Sequence, residues 1–338
     1  MKILNFIIFF LIVSFIQCFE TQAVNNVKVV TIGGGAESIH VGTERDYQII
    51  VNRVISYWSG ELSKIMIHKP DLILLTEACD RPSGLSVNEQ FEYYKVRKNQ
   101  ITDYFSKVAK ENRCYIAFSI KHELDGFWWN SIIVLDREGK QAGIFHKNFP
   151  TIGEMDQIQP GTETPLIKCD FGTVAGVICF DLNFDELKHK YAALKPDILL
   201  FSSMYHGGLV QAQWAYSCRS FFVCSYGRTS APSEIRNPLG EVVAASTNYY
   251  NYAVATINLD RQMVHLDNHW GKLTELKKKY GDKVIITDPG RLGPVLITSE
   301  HETVTANDMV KEFGFELLDS YFERSRQVRL QKLNKNHE

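Results

Sequence analysis

The stretch TVAGVICFDLNFDE, residues 173–186, places a cysteine where a buried strand gives way to a turn. An apolar, β-branched run ends at Ile178, and Asp181 and Asn183 follow with side chains that favour turns and helix starts. A cysteine in such a place is either a small buried residue or, with a base beside it, a nucleophile. Cys179 is therefore the first candidate for covalent chemistry.

Two charged residues stand at the ends of other predicted strands. Glu77 closes the apolar run DLILLTEA, and Lys147 follows GIFH just before a loop that contains proline. Each could simply be a solvated surface charge. Beside a thiol, however, a carboxylate can act as a general base and an ammonium can stabilise the oxyanion of acyl transfer. If Glu77 is that base, a Glu77→Gln substitution is expected to slow both alkylation of Cys179 and turnover.

The elements that must position these residues alternate between helix and strand. An apolar stripe at helical spacing predicts a long helix over residues 44–69, and VKVVTI, CYIAFSI, FWWNSIIVLD and QAGIFHK read as strands. KPDLILLTEA and KPDILLFSSM echo each other and place Glu77 and Ser203 at equivalent strand ends. The pattern predicts an α/β layered fold with its functional groups at the carboxyl ends of strands.

Glutamate, lysine and cysteine in this order, each at a strand end, resemble the nitrilase, or carbon-nitrogen hydrolase, superfamily. DLILLTEA resembles its first motif, WWNSIIVLDREGKQAGIFHKNFP its lysine motif and PGTETPLIKCDFGTVAGVICFD its nucleophile motif. SEIRNPLGEVVAAS and YAVATINLD are similar to its closing strands, so the resemblance covers residues 27 to about 260. It implies a four-layer α-β-β-α sandwich, with a C-terminal extension beyond it.

The resemblance also implies a mechanism. Cys179 would be the nucleophile and Glu77 the base and acid, while Lys147 and the backbone N–H of Phe180 would stabilise the oxyanion. Glu154 falls where many family members carry a second glutamate that orients the lysine. The supporting and possible pocket residues are Asn130, Trp128, Trp129, Ser203 and Tyr205.

The expected reaction is hydrolysis of a non-peptide carbon–nitrogen bond, without a cofactor. An amide or N-carbamoyl amine is favoured over a nitrile, because the chain most resembles secreted amidohydrolase-type members. Two alternatives stay open, an acyltransferase that passes the acyl group to an amine and a non-catalytic secreted binding protein. Asn183 stands where the family commonly has arginine, and Ser217 and Cys218 replace a usual Glu-Asn pair, which leaves the substrate subgroup open.

Other functions find less support in the sequence. His265 and His269 in HLDNH have helical spacing but lack the glutamate of a zinc protease and a third ligand, so no metal is expected. A Cys-His protease pairing Cys179 with His206 or His269 lacks a local signature. The net charge of −2 and the absence of basic runs argue against nucleic acid as a partner.

The N-terminus reads as a secretory signal peptide over residues 1–23, with one lysine, an apolar run over residues 7–16 and small residues before position 24. A retained anchor, or a lipid anchor at Cys18, is the alternative. No later segment is long and apolar enough to span a membrane. We therefore expect a secreted or periplasmic protein, and by family analogy a homodimer or higher homo-oligomer.

The predicted domains are the leader, a carbon-nitrogen hydrolase domain over residues 24–262 and an extension over residues 263–338. In the extension, KLTELKKKYGDK predicts a charged helix ending at Gly281, and an apolar helical stripe runs from Val310 to Phe322. By family analogy the extension packs on the body or on a partner subunit. Seven widely spaced cysteines do not suggest a disulfide scaffold, although export would permit disulfides.

Overall fold

A computed structural model describes residues 24–265, 267, 269–288, 290 and 293–335. The predicted signal peptide lies outside the described residues. The strands are β1 (Asn26–Ile32), β2 (Leu72–Leu74), β3 (Tyr115–Leu124), β4 (Phe127–Leu135), β5 (Gln141–His146), β6 (Ile167–Cys169), β7 (Gly172–Ile178), β8 (Ile198–Ser203), β9 (Phe221–Tyr226), β10 (Glu234–Arg236), β11 (Val242–Ala245), β12 (Tyr252–Asn258), β13 (Arg261–His265), β14 (Val284–Thr287) and β15 (Pro294–Ser299).

Nine α-helices lie within the described part of the chain. They are α1 (Tyr47–Ile65), α2 (Val87–Arg97), α3 (Gln100–Asn112), α4 (Ile152–Met155), α5 (Asp185–Leu194), α6 (Leu209–Cys218), α7 (Trp270–Tyr280), α8 (Ala306–Phe313) and α9 (Leu318–Lys335). Short 3-10 helices cover Ala36–Ser38, Met66–His68, Cys179–Asn183 and Gly281–Lys283.

Two six-stranded sheets form the body. The first has the order β12-β1-β2-β3-β4-β5 and the second has the order β11-β10-β9-β8-β7-β6. β1, β2 and β3 run parallel in the first sheet, as β7, β8 and β9 do in the second. Because the carboxyl ends of parallel strands meet at one edge, the residues that follow β2, β5, β7 and β8 can gather there.

The layers follow from which side chains each surface buries. The sheets face each other through residues such as Leu74 and Val177, in a core that also takes in Trp214 of α6 behind the second sheet. Behind the first sheet, Trp58 of α1 and Phe105 of α3 pack in a separate core. The order is therefore helix, sheet, sheet, helix, which confirms the predicted α-β-β-α sandwich.

Helix α1 shows how local sequence sets these layers. The Asp46 side chain caps its N-terminus by accepting from the backbone N–H groups of Gln48 and Ile49. Its buried residues recur at helical spacing, as the apolar stripe predicts. Helix α2 was not predicted, although Ser86 and Glu89 form a capping box in front of it.

The C-terminal region forms its own small layer. Strands β13, β15 and β14 make an antiparallel sheet, and α7 and α8 pack on it around Leu276 and Met309. Met263 and Leu318 pack against Leu239 of the body, so this region rests on the sandwich of the same chain.

Two sequence expectations for this region have different outcomes. Helix α7 ends at Tyr280 with Gly281 as its C-cap, as predicted. The apolar stripe from Val310 to Phe322 does not form one helix, because α8 ends at Phe313 and α9 starts at Leu318. Gly314 takes the left-handed conformation that closes α8, with a φ of 60°.

The described part of the chain carries no helix long and apolar enough to cross a membrane. The six cysteines within it, Cys79, Cys114, Cys169, Cys179, Cys218 and Cys224, are all free thiols.

Candidate active site

Cys179 sits on a strained turn at the end of β7. Its φ is 48°, in the left-handed region that non-glycine residues rarely adopt. The buried Asp181 carboxylate fixes this turn, because its oxygens accept from the backbone N–H of Ile178 at 2.9 Å and of Phe149 at 2.7 Å. The second bond ties the turn to the loop after β5, and Cys179 itself remains partly exposed.

Glu77 is held in a single orientation by three donors. It is 5% exposed, and its Oε1 atom accepts from Lys147 Nζ at 2.9 Å and from Asn130 Nδ2 at 2.9 Å. Its Oε2 atom accepts from the backbone N–H of Met204 at 3.2 Å. Since Met204 follows β8, the two strand ends that echo each other in sequence meet at this carboxylate.

Lys147 bridges two carboxylates. It is 1% exposed, and its Nζ atom also donates to Glu154 Oε2 at 2.8 Å. Burial alone would lower the pKa of Lys147, but the charges of Glu77 and Glu154 outweigh it and raise the pKa. Burial would likewise raise the pKa of Glu154, but the Lys147 charge and its hydrogen bond hold that pKa below the usual value. The lysine is therefore charged and the second glutamate ionised at neutral pH.

The Cys179 thiol is protonated at rest. Burial raises its pKa to about 12, the charge of Glu77 adds to the rise, and the charge of Lys147 opposes it. A thiol with such a pKa carries almost no thiolate at neutral pH, so attack by sulfur needs a base. The Glu77 carboxylate stands next to it in the required role.

A second row of hydrogen bonds supports the glutamate. Asn130 was named from the sequence, and its Oδ1 atom accepts from Ser119 Oγ at 2.9 Å. Ser119 Oγ in turn accepts from the backbone N–H of Ala78 at 3.4 Å. The sequence analysis missed Ser119, which the strand alternation of β3 places on the same face as the site.

The remaining predicted residues lie in different places. Tyr205 is near the nucleophile, since burial raises its pKa to about 12 and the charge of Cys179 adds to the rise. Ser203 is fully buried, and its hydroxyl donates to the Tyr205 backbone oxygen at 2.6 Å. Trp128 packs on Phe91, with ring centroids 5.0 Å apart.

Trp129 is turned away from Trp128. Its ring lies 4.5 Å from the ring of His146, and its indole N–H donates to the Leu124 backbone oxygen at 3.3 Å. The Phe180 side chain is 37% exposed, and its backbone N–H lies in the first turn of a 3-10 helix, where such groups have no intrahelical acceptor. This N–H can therefore donate to a bound group.

The two histidines of HLDNH serve the C-terminal layer. His265 stacks on Tyr321 with ring centroids 3.6 Å apart, and His269 Nε2 accepts from the backbone N–H of Glu316 at 2.8 Å. Within the described residues no three histidine, cysteine or acidic side chains cluster as metal ligands.

Comparison with known proteins places this geometry in a family. The family model described as carbon-nitrogen hydrolase matches residues 51–264. A hydrolase of Schizosaccharomyces pombe is 21% identical over 217 residues, which cover 56% of this chain and 66% of the relative. Omega-amidase of Homo sapiens is 24% identical over 222 residues, which cover 62% of this chain and 80% of the relative.

Solved structures share the fold. Saccharomyces cerevisiae Nit3, a member of branch 10 of the nitrilase superfamily, aligns with a TM-score of 0.57 at 17% identity, over 79% of this chain and 97% of the other. A mutant of the amidase from Nesterenkonia sp. AN1 aligns with a TM-score of 0.58 at 12% identity, over 70% and 92%. With its four-layer sandwich and a matching family model over more than half its length, this chain belongs to the carbon-nitrogen hydrolase family.

Proposed function

We propose that the protein hydrolyses an amide through an acyl-enzyme on Cys179. The observation that carries the proposal is the buried Glu77–Lys147 pair, at 2.9 Å, beside a partly exposed thiol on a strained turn. A protonated thiol, a fixed carboxylate and a fixed cation are the groups that acyl transfer to sulfur requires.

The reaction begins with transfer of the Cys179 proton to Glu77 as sulfur attacks the carbonyl carbon. The negative charge that develops on the carbonyl oxygen is stabilised by Lys147 and by the backbone N–H of Phe180. Glu77 then gives its proton to the leaving nitrogen, the carbon–nitrogen bond breaks, and a thioester remains. Water, deprotonated by Glu77, attacks the thioester, and the thiol regains a proton as the acid leaves.

Glu154 and Asn130 support this sequence without reacting. The Glu154 carboxylate keeps Lys147 charged and pointed at the reaction centre through the 2.8 Å hydrogen bond. Asn130 donates to the same Glu77 oxygen as Lys147 does, so it limits rotation of the base. Preorganised donors of this kind do not have to reorient while charge develops.

The named relatives support an amide substrate over a nitrile. Several are omega-amidases, and the Nesterenkonia structure shows covalent addition of the acetamide moiety of fluoroacetamide at the active-site cysteine. An N-carbamoyl amine would present the same kind of carbonyl carbon to Cys179.

Release of ammonia or amine from a panel of amides, carbamoyl amines and nitriles tests the proposal, with Cys179→Ala as the control. We expect turnover of at least one amide and none by the variant. Turnover that appears only when an acceptor amine is added would indicate the acyltransferase. No turnover of any compound would favour the binding protein.

We further propose that the protein is exported with removal of residues 1–23 and that it assembles as a homodimer or larger oligomer. The proposal rests on the leader sequence and on the family resemblance. N-terminal sequencing of material from the native host should find a first residue between positions 18 and 24, and a chain that still begins at Met1 would contradict it. Light scattering measures the assembly.

A further inference from the structure

Lys121 is a buried cation that the proposed reaction does not use. It lies on β3, is 4% exposed, and pairs in register with Asn130 of β4. Because side chains two apart on a strand share a face, Lys121 stands on the same face as Ser119, which supports Asn130. The lysine is thus one pleat further along the row that holds the proposed base Glu77.

The ammonium group of Lys121 has a neutral partner. Its Nζ atom donates to Gln157 Oε1 at 3.2 Å, and it lies 5.8 Å from the Phe91 ring centroid. The Gln157 amide is fixed by a hydrogen bond from its Nε2 atom to the Gly153 backbone oxygen at 3.2 Å. An ammonium has three N–H groups, so this oxygen leaves part of the donor capacity of Lys121 unused.

The neighbouring cations are paired differently. Lys147 Nζ lies 2.9 Å from Glu77, and Arg81 lies 2.7 Å from Glu37. The buried Arg97 likewise forms an ion pair, with Asp80. Lys121, in contrast, has no carboxylate within ion-pair distance among the residues that the structure describes.

Burial of a lysine without a counter-ion is unfavourable, which makes such a residue a candidate for function. Burial lowers the pKa of Lys121, the carboxylate of Glu154 opposes the shift, and the charge of Arg81 adds to it. Glu77 and Lys147 act on it in the same way at longer range. The lysine therefore senses the reaction centre, yet no protein carboxylate binds it directly.

We propose that Lys121 binds a carboxylate on the acyl part of the substrate, so that the site takes half-amides of dicarboxylic acids. The inference rests on the proposed function and names its substrate class. The substrate anion would supply the counter-ion that the ammonium lacks, in a site where water is largely excluded and charged hydrogen bonds are strong. Phe91 and Trp128 would cover the methylene chain between the carboxylate and the amide.

The competing explanation is that Lys121 only balances the charge of Glu154. In that case its removal would disturb the catalytic carboxylates and slow every substrate alike. A role in recognition would instead affect substrates according to their charge. Comparison of an anionic amide with a neutral one of the same shape separates the two.

The test measures kcat/KM for succinamate and glutaramate and for their methyl esters. The wild type should prefer the better half-amide over its ester by at least about tenfold. Lys121→Met should lower kcat/KM for that half-amide by about ten- to hundredfold, the range for a hydrogen bond to a charged group, and change the ester by less than about threefold. Lys107→Met, at a lysine whose side chain is 71% exposed, is the matched control and should change neither.

A binding measurement keeps the inference testable if turnover is absent. Calorimetry on Cys179→Ala should give a lower Kd for the half-amide than for its ester, and adding Lys121→Met should abolish the difference. Lys121→Arg, which keeps the charge, should retain it. Equal loss for both substrates in the kinetic test, or equal Kd values in Cys179→Ala, would overturn the assignment. Failure of the acyl-enzyme alone would leave the Kd difference intact.

Discussion

Replacing Glu77 by glutamine changes three hydrogen bonds without changing the shape of the side chain. The carboxylate accepts from Lys147 and Asn130 at one oxygen and from the backbone N–H of Met204 at the other. An amide offers one oxygen and one NH₂ group, so one of these two sets of donors must face another donor. The substitution therefore removes the base and also leaves a buried donor without an acceptor.

The two losses have different sizes. Loss of a general base lowers kcat by roughly 10²- to 10⁴-fold, and an unsatisfied buried donor lowers the free energy of unfolding by about 1–3 kcal/mol. We expect Glu77→Gln to show both, in steady-state kinetics and in urea denaturation. Glu111→Gln on α3, where the side chain is 59% exposed, is the matched control and should show neither.

Alkylation of Cys179 in the same variant distinguishes a base from a simple electrostatic neighbour. The Glu77 charge raises the pKa of the thiol, whereas Lys147 lowers it. Without Glu77, the thiol pKa should fall, so iodoacetamide at pH 7 should alkylate Cys179 at least as fast as in the wild type while turnover collapses. Turnover within tenfold of the wild type would refute the reasoning, as would an equal fall of turnover and alkylation.

The remaining predictions concern the cation and two buried acids. Lys147→Met should lower kcat by roughly 10²- to 10³-fold, as expected for loss of an oxyanion donor, with little effect on KM; an unchanged kcat would remove it from the mechanism. Burial raises the pKa of Asp181 to about 7, so the stability that it contributes is fully present below about pH 4 and is lost as the pH rises through 7, by roughly 1.4 kcal/mol per pH unit. Asp181→Asn should remove this slope between urea unfolding at pH 5 and at pH 8. Asp80→Asn should leave Arg97 buried and unpaired and lower the free energy of unfolding by about 3–5 kcal/mol, and a loss under 1 kcal/mol would contradict the burial of this pair.

Much of the fold follows from local patterns in the sequence. The stripe of α1 and the buried strands around Glu77 and Cys179 have strong periodicity, so they are readable without a structure. Helix α2 is harder, because its buried face includes Arg97, a residue that reads as exposed. The C-terminal sheet was missed because its strands are short and pair across long stretches of chain.

The site divides in the same way. Cys179, Glu77 and Lys147 each end a strand, and that position is visible in the sequence. Lys121 reads as a surface charge, and only the pairing of β3 with β4 and the closure by the segment after α4 bury it.

Electrostatics also changes one expectation. The sequence suggests that loss of Glu77 slows alkylation, because a base is lost. The geometry adds that the same carboxylate raises the pKa of the Cys179 thiol, an effect that depends on distances no sequence pattern encodes. The prediction for Glu77→Gln is revised accordingly.

The central claim is that Cys179 is the nucleophile, and labelling at a limiting concentration of iodoacetamide tests it most directly. Mass spectrometry should find the loss of activity proportional to the label on Cys179, with Cys114 and Cys224 unlabelled because both are buried. Cys169 is also partly exposed and is the control, since its label should not track activity and Cys169→Ala should remain active. Activity that vanishes while Cys179 stays unlabelled, or that survives in Cys179→Ala, would contradict the account.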